Sequence, residues 1–153
     1  MKRDSKLSGV LHVLLHMLGS KAPATSEHLA LMMGTNPVVV RRVMAGLREQ
    51  GFVTSAKGHG GGWLIACDPA KVTLADIYAA VGEPTVIAMG HRSETPECLV
   101  EQAVNRALDD AFREAESVFA KHLKTVTLAA LSEDFNRQLA ARGLNLESQT
   151  HAI

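Results

Sequence analysis

The sequence predicts a mainly α-helical fold with one small β-hairpin. Three observations predict it. Apolar residues recur at helical spacing over six segments, a glycine-rich stretch from Lys57 to Gly62 separates two short β-prone runs, and a connector leads into a long segment with a three-and-four apolar stripe. With 153 residues, 46% of them hydrophobic, the chain can bury one ordinary core and carry a helical appendage, but it is short for two independent domains.

The first helix is expected from Leu7 to Leu18, where Leu7, Val10, Leu11, Leu14, Leu15 and Leu18 line one face before Gly19-Ser20 stops it. Thr25 can cap a short second helix that has Glu27 in its first turn and Leu29, Ala30, Met32 and Met33 along it, with Gly34 as its stop. Asn36 can cap a third, with Pro37 suited to its first position. Val40, Val43, Met44 and Leu47 then repeat on one face until Gly51. Two helices joined by a three- or four-residue turn containing glycine form a helix-turn-helix, in which small Ala30 suits the crossing point.

Phe52-Val53-Thr54 reads as a strand, Lys57-Gly58-His59-Gly60-Gly61-Gly62 as a hairpin tip and Trp63-Leu64-Ile65-Ala66 as the return strand, which together make a wing. The glycine run does not open a helix and lacks Gly-Lys-Ser/Thr, so it is no nucleotide-binding loop. Thr73 caps a fourth helix with Leu74, Ile77, Tyr78 and Val81 on one face, ending at Gly82-Glu83-Pro84. The chain thus divides into a winged helix-turn-helix domain for DNA binding over 1–82, a connector over 83–97, dimerisation helices over 98–144 and a flexible tail over 145–153.

The long helix is expected from Cys98 to Leu123. Its stripe of Val104, Leu108, Ala111, Ala115 and Val118 has the seam spacing of helices packed along their length. A domain of this size offers little surface to cover such a stripe, so a second copy of the chain is the expected partner. A last helix from Leu128 to Arg142 has Thr127 as cap and Gly143 as stop.

Charge and cysteine content narrow the function. Residues 1–65 hold eight Lys/Arg against three Asp/Glu, and the remainder holds eight against 13, so a net charge of zero conceals a basic half and an acidic half. A basic module of this kind suits a polyanion. Two cysteines, Cys67 and Cys98, are too few for a disulfide framework and form no CxxC pair, which excludes a zinc finger. With neither a long apolar run nor a small-residue cleavage site after Met1-Lys2-Arg3, the protein is expected in the cytoplasm with no membrane partner.

Leu47-Arg48-Glu49-Gln50-Gly51-Phe52-Val53 and Ser55-Ala56-Lys57-Gly58-His59-Gly60-Gly61-Gly62-Trp63-Leu64 resemble the recognition-helix end and wing of the Rrf2 family of bacterial regulators. So does Val72-Thr73-Leu74-Ala75-Asp76-Ile77, with Cys98-Leu99 opening a long helix. The resemblance covers roughly residues 6 to 131. It implies a homodimeric repressor or activator of transcription that binds a palindromic operator on duplex DNA, and a repressor is expected here. Some similar proteins hold an iron-sulfur cluster through three connector cysteines, and others sense through unligated thiols. Here only Cys98 matches a cysteine of that pattern, so a conventional three-cysteine cluster is not available and no cofactor is assigned.

The expected DNA-binding residues are Asn36, Val38, Arg41, Arg42, Arg48, Lys57, Gly58 and His59. Helical periodicity turns Val38 and Arg42 away from the buried stripe of the third helix. There Arg42 can pair with guanine O6 and N7 and Val38 can touch a thymine methyl. Arg41 and Arg48 lie toward the flanks where phosphates run, and the wing-tip residues suit the minor groove or its phosphates.

Cys98, His12 and His16 are the candidate sensor residues. A helix start favours thiolate at Cys98, although Glu97 and Glu101 oppose it. His12 and His16, four apart, share a helix face and suit one metal ion, whose identity the sequence leaves unknown; the alternative is that both are packed or solvent-bridging residues. Some cluster-binding relatives complete their site with a first-helix side chain of the partner subunit, in the stretch where these histidines fall. Cys67, outside that motif, is expected as a small buried hydrophobe. The sequence leaves two rival functions open: a thiol- or metal-dependent enzyme built on the same three residues, and a winged helix that binds only protein. The enzyme reading finds no nucleophile paired with an evident base.

Overall fold

The computed structural model describes residues 4–145; the expected tail falls outside the described residues from 146 onward. Its elements are α1 (Lys6–Leu18), α2 (Ser26–Met33), α3 (Pro37–Glu49), β1 (Val53–Ala56), β2 (Gly62–Ile65), α4 (Leu74–Ala80), α5 (Leu99–Thr125) and α6 (Leu128–Ala141). The fold is the expected one, mainly helical with a two-stranded wing and a long C-terminal helix.

Local chemistry sets the helix starts. The side chains of Thr25, Asn36, Thr73 and Thr127 each accept a hydrogen bond from a backbone N–H of the first turn, at 3.1, 3.1, 3.2 and 3.1 Å. At Thr73 the Asp76 carboxylate returns the bond to the cap amide, closing a capping box. Gly34, at φ 62°, supplies the left-handed residue that ends α2 and turns the chain into α3.

The core is one apolar cluster built by Val10, Val13 and Leu14 of α1, Leu29 and Ala30 of α2, Val40, Met44 and Leu47 of α3, Val53 and Trp63 of the wing, and Ile77 of α4. Leu128, at the start of α6, is fully buried in the same cluster. Backbone bonds stitch this junction: Leu74 N–H to Val126 O, Leu128 N–H to Val72 O and Ala129 N–H to Pro69 O, each 2.9 Å. The chain that enters α6 therefore forms part of the wall of the winged domain.

The wing pairs antiparallel in the register Val53 with Ile65, Thr54 with Leu64, Ser55 with Trp63 and Ala56 with Gly62. Both strands sit one or two residues away from the sequence expectation, because Ala56 and Gly62 pair while Phe52 and Ala66 only flank the ladder. Trp63 ties the wing to the helix-turn-helix. Its backbone exchanges two bonds with Ala24, and its indole N–H donates to Ser26 Oγ at 3.0 Å. At Gly62 a Cβ would stand 2.6 Å from the Ala24 carbonyl oxygen, so glycine permits this approach. Gly46 plays the same part between helices, where a Cβ would meet the Ala80 carbonyl oxygen at 2.8 Å.

Candidate nucleic-acid interface

Helix α3 presents two unlike faces. Val40, Val43, Met44 and Leu47 are buried, and on the other side Val38, Arg41, Arg42, Arg48 and Glu49 are exposed. Val38 has 61% of its surface open, an unusual amount for a valine beside a complete core. Among the described residues Arg42 makes no ion pair or hydrogen bond, so its guanidinium is free for an external acceptor.

Three of the other predicted contacts, Arg41, Arg48 and Asn36, have internal partners. Arg41 Nη1 lies 3.4 Å from Glu27 Oε1, both side chains largely exposed, so the pair is a weak tether that a phosphate can displace. Arg48 stacks over the Trp63 ring at 5.9 Å, a cation–π contact between the end of α3 and the wing. The Asn36 Oδ1 is committed to capping α3. Lys57, Gly58 and His59 stand exposed at the wing tip, where Gly58 (φ 90°) and Gly60 (φ 76°) take left-handed conformations and Gly61 N–H closes on Gly58 O at 3.1 Å. Sequence periodicity locates the exposed face of α3, whereas the Glu27 and Trp63 partners depend on packing between distant segments.

A comparison against family models matches residues 3–134 to Rrf2, described as an iron-dependent transcriptional regulator. The chain belongs to the Rrf2 family. The YwnA protein of Bacillus subtilis is 30% identical over 125 residues, covering 82% of this chain and 92% of that one. The HTH-type transcriptional regulator IscR of Vibrio atlanticus is 26% identical over 139 residues, covering 88% and 76%. In fold, a crystal structure from Lactobacillus plantarum superposes with a TM-score of 0.71 at 23% identity, over 88% of this chain and 92% of that one. As an Rrf2 protein, the chain is a DNA-binding transcriptional regulator and not an enzyme.

The iron of the family description needs ligands, and this chain's residues do not supply a conventional set. Its two cysteines lie apart in the sequence: Cys67 packs half-buried against the winged core after β2, and Cys98 is exposed at the start of α5. Among the described residues no three His, Cys, Asp or Glu side chains converge as a metal site. Within one protomer Cys98 therefore does not join His12 and His16. Cys98 faces the free amides of Glu101 and Val100, which hold its thiol below the usual range, although neither amide closes a capping hydrogen bond. Burial pushes Cys67 the other way.

The connector that carries cysteines in cluster-binding relatives is pinned by other chemistry in this Rrf2 chain. The His91 Nε2 sits 2.7 Å from Asp109 Oδ1, Asn105 donates to Ser93 O at 2.9 Å, and Gln102 donates to Pro96 O at 3.1 Å. These side chains span up to 18 residues of sequence, and no local pattern announces the pairing. No helix among the described residues is long and apolar enough to cross a membrane.

Proposed function

We propose that the protein represses transcription in the cytoplasm as a homodimer that binds a palindromic operator, with residues 1–82 contacting DNA, 83–97 connecting and 98–144 holding the dimer. The observation that carries this reading is the face of α3 on which unpaired Arg42 stands beside exposed Val38. Arg42 reads a guanine and Val38 a thymine methyl in the major groove. Arg41 and Arg48 hold flanking phosphates, as does the Nδ2 of Asn36. Lys57, Gly58 and His59 follow the backbone or the minor groove at the wing. The exposed apolar residues of α5, among them Val104 (51% open) and Val118 (62% open), support a second copy as their cover.

A titration of operator and random duplexes tests the division of labour. Arg42→Ala is expected to reduce discrimination between them by about 1–3 kcal/mol, roughly five- to 150-fold. Lys57→Ala weakens both duplexes alike and lowers the salt dependence, because it removes a phosphate contact. Equal loss of specificity in the two variants would contradict the assignment.

Cys98 is the proposed redox contact, exposed and biased toward thiolate where α5 leaves the connector. Peroxide is expected to shift operator affinity of the wild type and leave Cys98→Ser unchanged. An identical peroxide response in both makes Cys98 structural.

A further inference from the structure

The most suggestive side-chain arrangement outside the DNA-facing surface is on α1. His12 and His16 turn their Nε2 atoms toward one another at 3.1 Å, with ring centroids 4.9 Å apart and planes inclined by 62°. One imidazole must then donate to the other, or both must share a third species. A bound first-row cation takes imidazole nitrogens at roughly 2.0–2.1 Å, which puts two adjacent nitrogens roughly 2.9–3.4 Å apart, so the observed separation is that of a chelate bite. Residues four apart on a helix hold this bite without any loop closing around it.

The two rings differ in setting, and both settings suit ligation. His12 is exposed, which gives an ion an entry path, while His16 is partly covered and its ring packs 6.3 Å from that of Phe135 on α6. Burial first, then the charges His12 and His28 would carry, keep His16 below its ordinary 6.5. A lowered value favours the uncharged ring, the form of imidazole that ligates a cation. His28 of α2 lines the same groove as His16, together with the apolar Met17, Leu29 and Met32. His12 lies outside that groove, and the pair itself offers two imidazole nitrogens with no carboxylate or thiol converging on them among the described residues, which favours imidazole-seeking ions over the oxygen-seeking Mg²⁺ and Ca²⁺.

We propose that His12 and His16 of a single protomer form a two-imidazole clamp for one late first-row divalent cation, with water in the remaining positions and no part for Cys98. The clamp does not depend on the DNA-binding reading. It also differs from an interfacial site, because both ligands come from one helix.

Tag-free protein is titrated with Cu²⁺, Ni²⁺, Zn²⁺ and Mg²⁺ in competition with a chromophoric chelator. The expected result is one ion per chain, Cu²⁺ tightest, Zn²⁺ and Ni²⁺ weaker and Mg²⁺ not competing. His12→Gln and His16→Ala each weaken Zn²⁺ at least tenfold, and Cys98→Ser leaves it unchanged. His12 is exposed, so His12→Gln keeps the metal-free melting temperature of the wild type and remains decisive if His16→Ala fails to fold. Saturating Zn²⁺ raises the melting temperature of the wild type and not that of His12→Gln. No binding, wild-type binding by His12→Gln, or loss of binding in Cys98→Ser would each overturn the clamp and leave the contact a hydrogen bond between two histidines.

Discussion

The wild type is expected to sediment as a dimer at micromolar concentration, and Ala111→Glu as a monomer. Helix α5 runs 27 residues, about 40 Å, and a single chain covers only part of it. Its anchors to the winged domain lie toward its C-terminal end, where Phe119 meets Tyr78 edge-on at 5.7 Å and Leu123 is buried. Upstream, Leu99, Val100, Val104 and Leu108 stay exposed along with Ala111. A seam formed by two such helices brings Ala111 toward its symmetry mate, where small side chains permit close backbone approach. A glutamate placed there is a charge without a partner, and its desolvation costs several kcal/mol. Since about 1.4 kcal/mol is a factor of ten, the dimer dissociation constant rises by at least about a hundredfold. The helix itself should persist, because Ala111 is exposed in the protomer and glutamate is a good helix former. A monomer with unchanged helical content is the expected signature. A dimer that survives the substitution places the subunit interface elsewhere.

Operator binding should fall with the dimer. Two recognition helices act together only when their separation matches the roughly 34 Å turn of DNA, so a monomer keeps a single half-site. Changes at the α5 seam and changes at Arg42 are therefore distinguishable, the first lowering affinity through assembly and the second through specificity.

The legible parts of the fold are those that short stretches of chain encode. Caps at Thr25, Asn36, Thr73 and Thr127 announce helix starts because each hydroxyl or amide serves an amide within the same turn. The spacing of Val40, Val43, Met44 and Leu47 identifies the buried face of α3, and with it the exposed positions of Val38 and Arg42. What the sequence does not disclose is decided between segments. Gly46 looks like a mild defect in a helix until Ala80 is placed against it. Trp63 reads as one residue of a strand, yet it carries the bridge to Ala24, the bond to Ser26 and the stacking of Arg48. The His91–Asp109 contact joins a connector without secondary structure to the long helix, and neither residue belongs to a pattern that implies the other. In the candidate interface, likewise, periodicity shows which side chains point outward but not that Arg41 and Arg48 have partners at home. Arg42 becomes the sharpest candidate only once those partners are known.

Leu128→Ala is expected to lower stability by about 2–5 kcal/mol, a large share of the roughly 5–15 kcal/mol that separates folded from unfolded states in ordinary domains. Leu128 opens the last helix, far in sequence from the winged domain, yet it is fully buried in the cluster that contains Leu14, Leu29 and Met44. Truncation removes methyl groups from that core and leaves a cavity whose walls cannot collapse freely. The backbone on either side is fixed by the bonds from Leu128 to Val72, from Ala129 to Pro69 and from Leu74 to Val126. The loss should therefore lie toward the upper part of that range. Urea unfolding followed at a fixed protomer concentration checks it, since a dimer's midpoint depends on concentration. If the start of α6 belongs to the winged core, the variant unfolds in one transition with a lower midpoint and an unchanged slope. A separate early transition that leaves the main one in place would show that α6 docks as an independent unit. Leu131→Ala, at a partly open position one turn further along α6, is the companion variant and should cost less than Leu128→Ala. Equal losses at the two positions would mean that general helix docking, and not the core contact of Leu128, sets the effect.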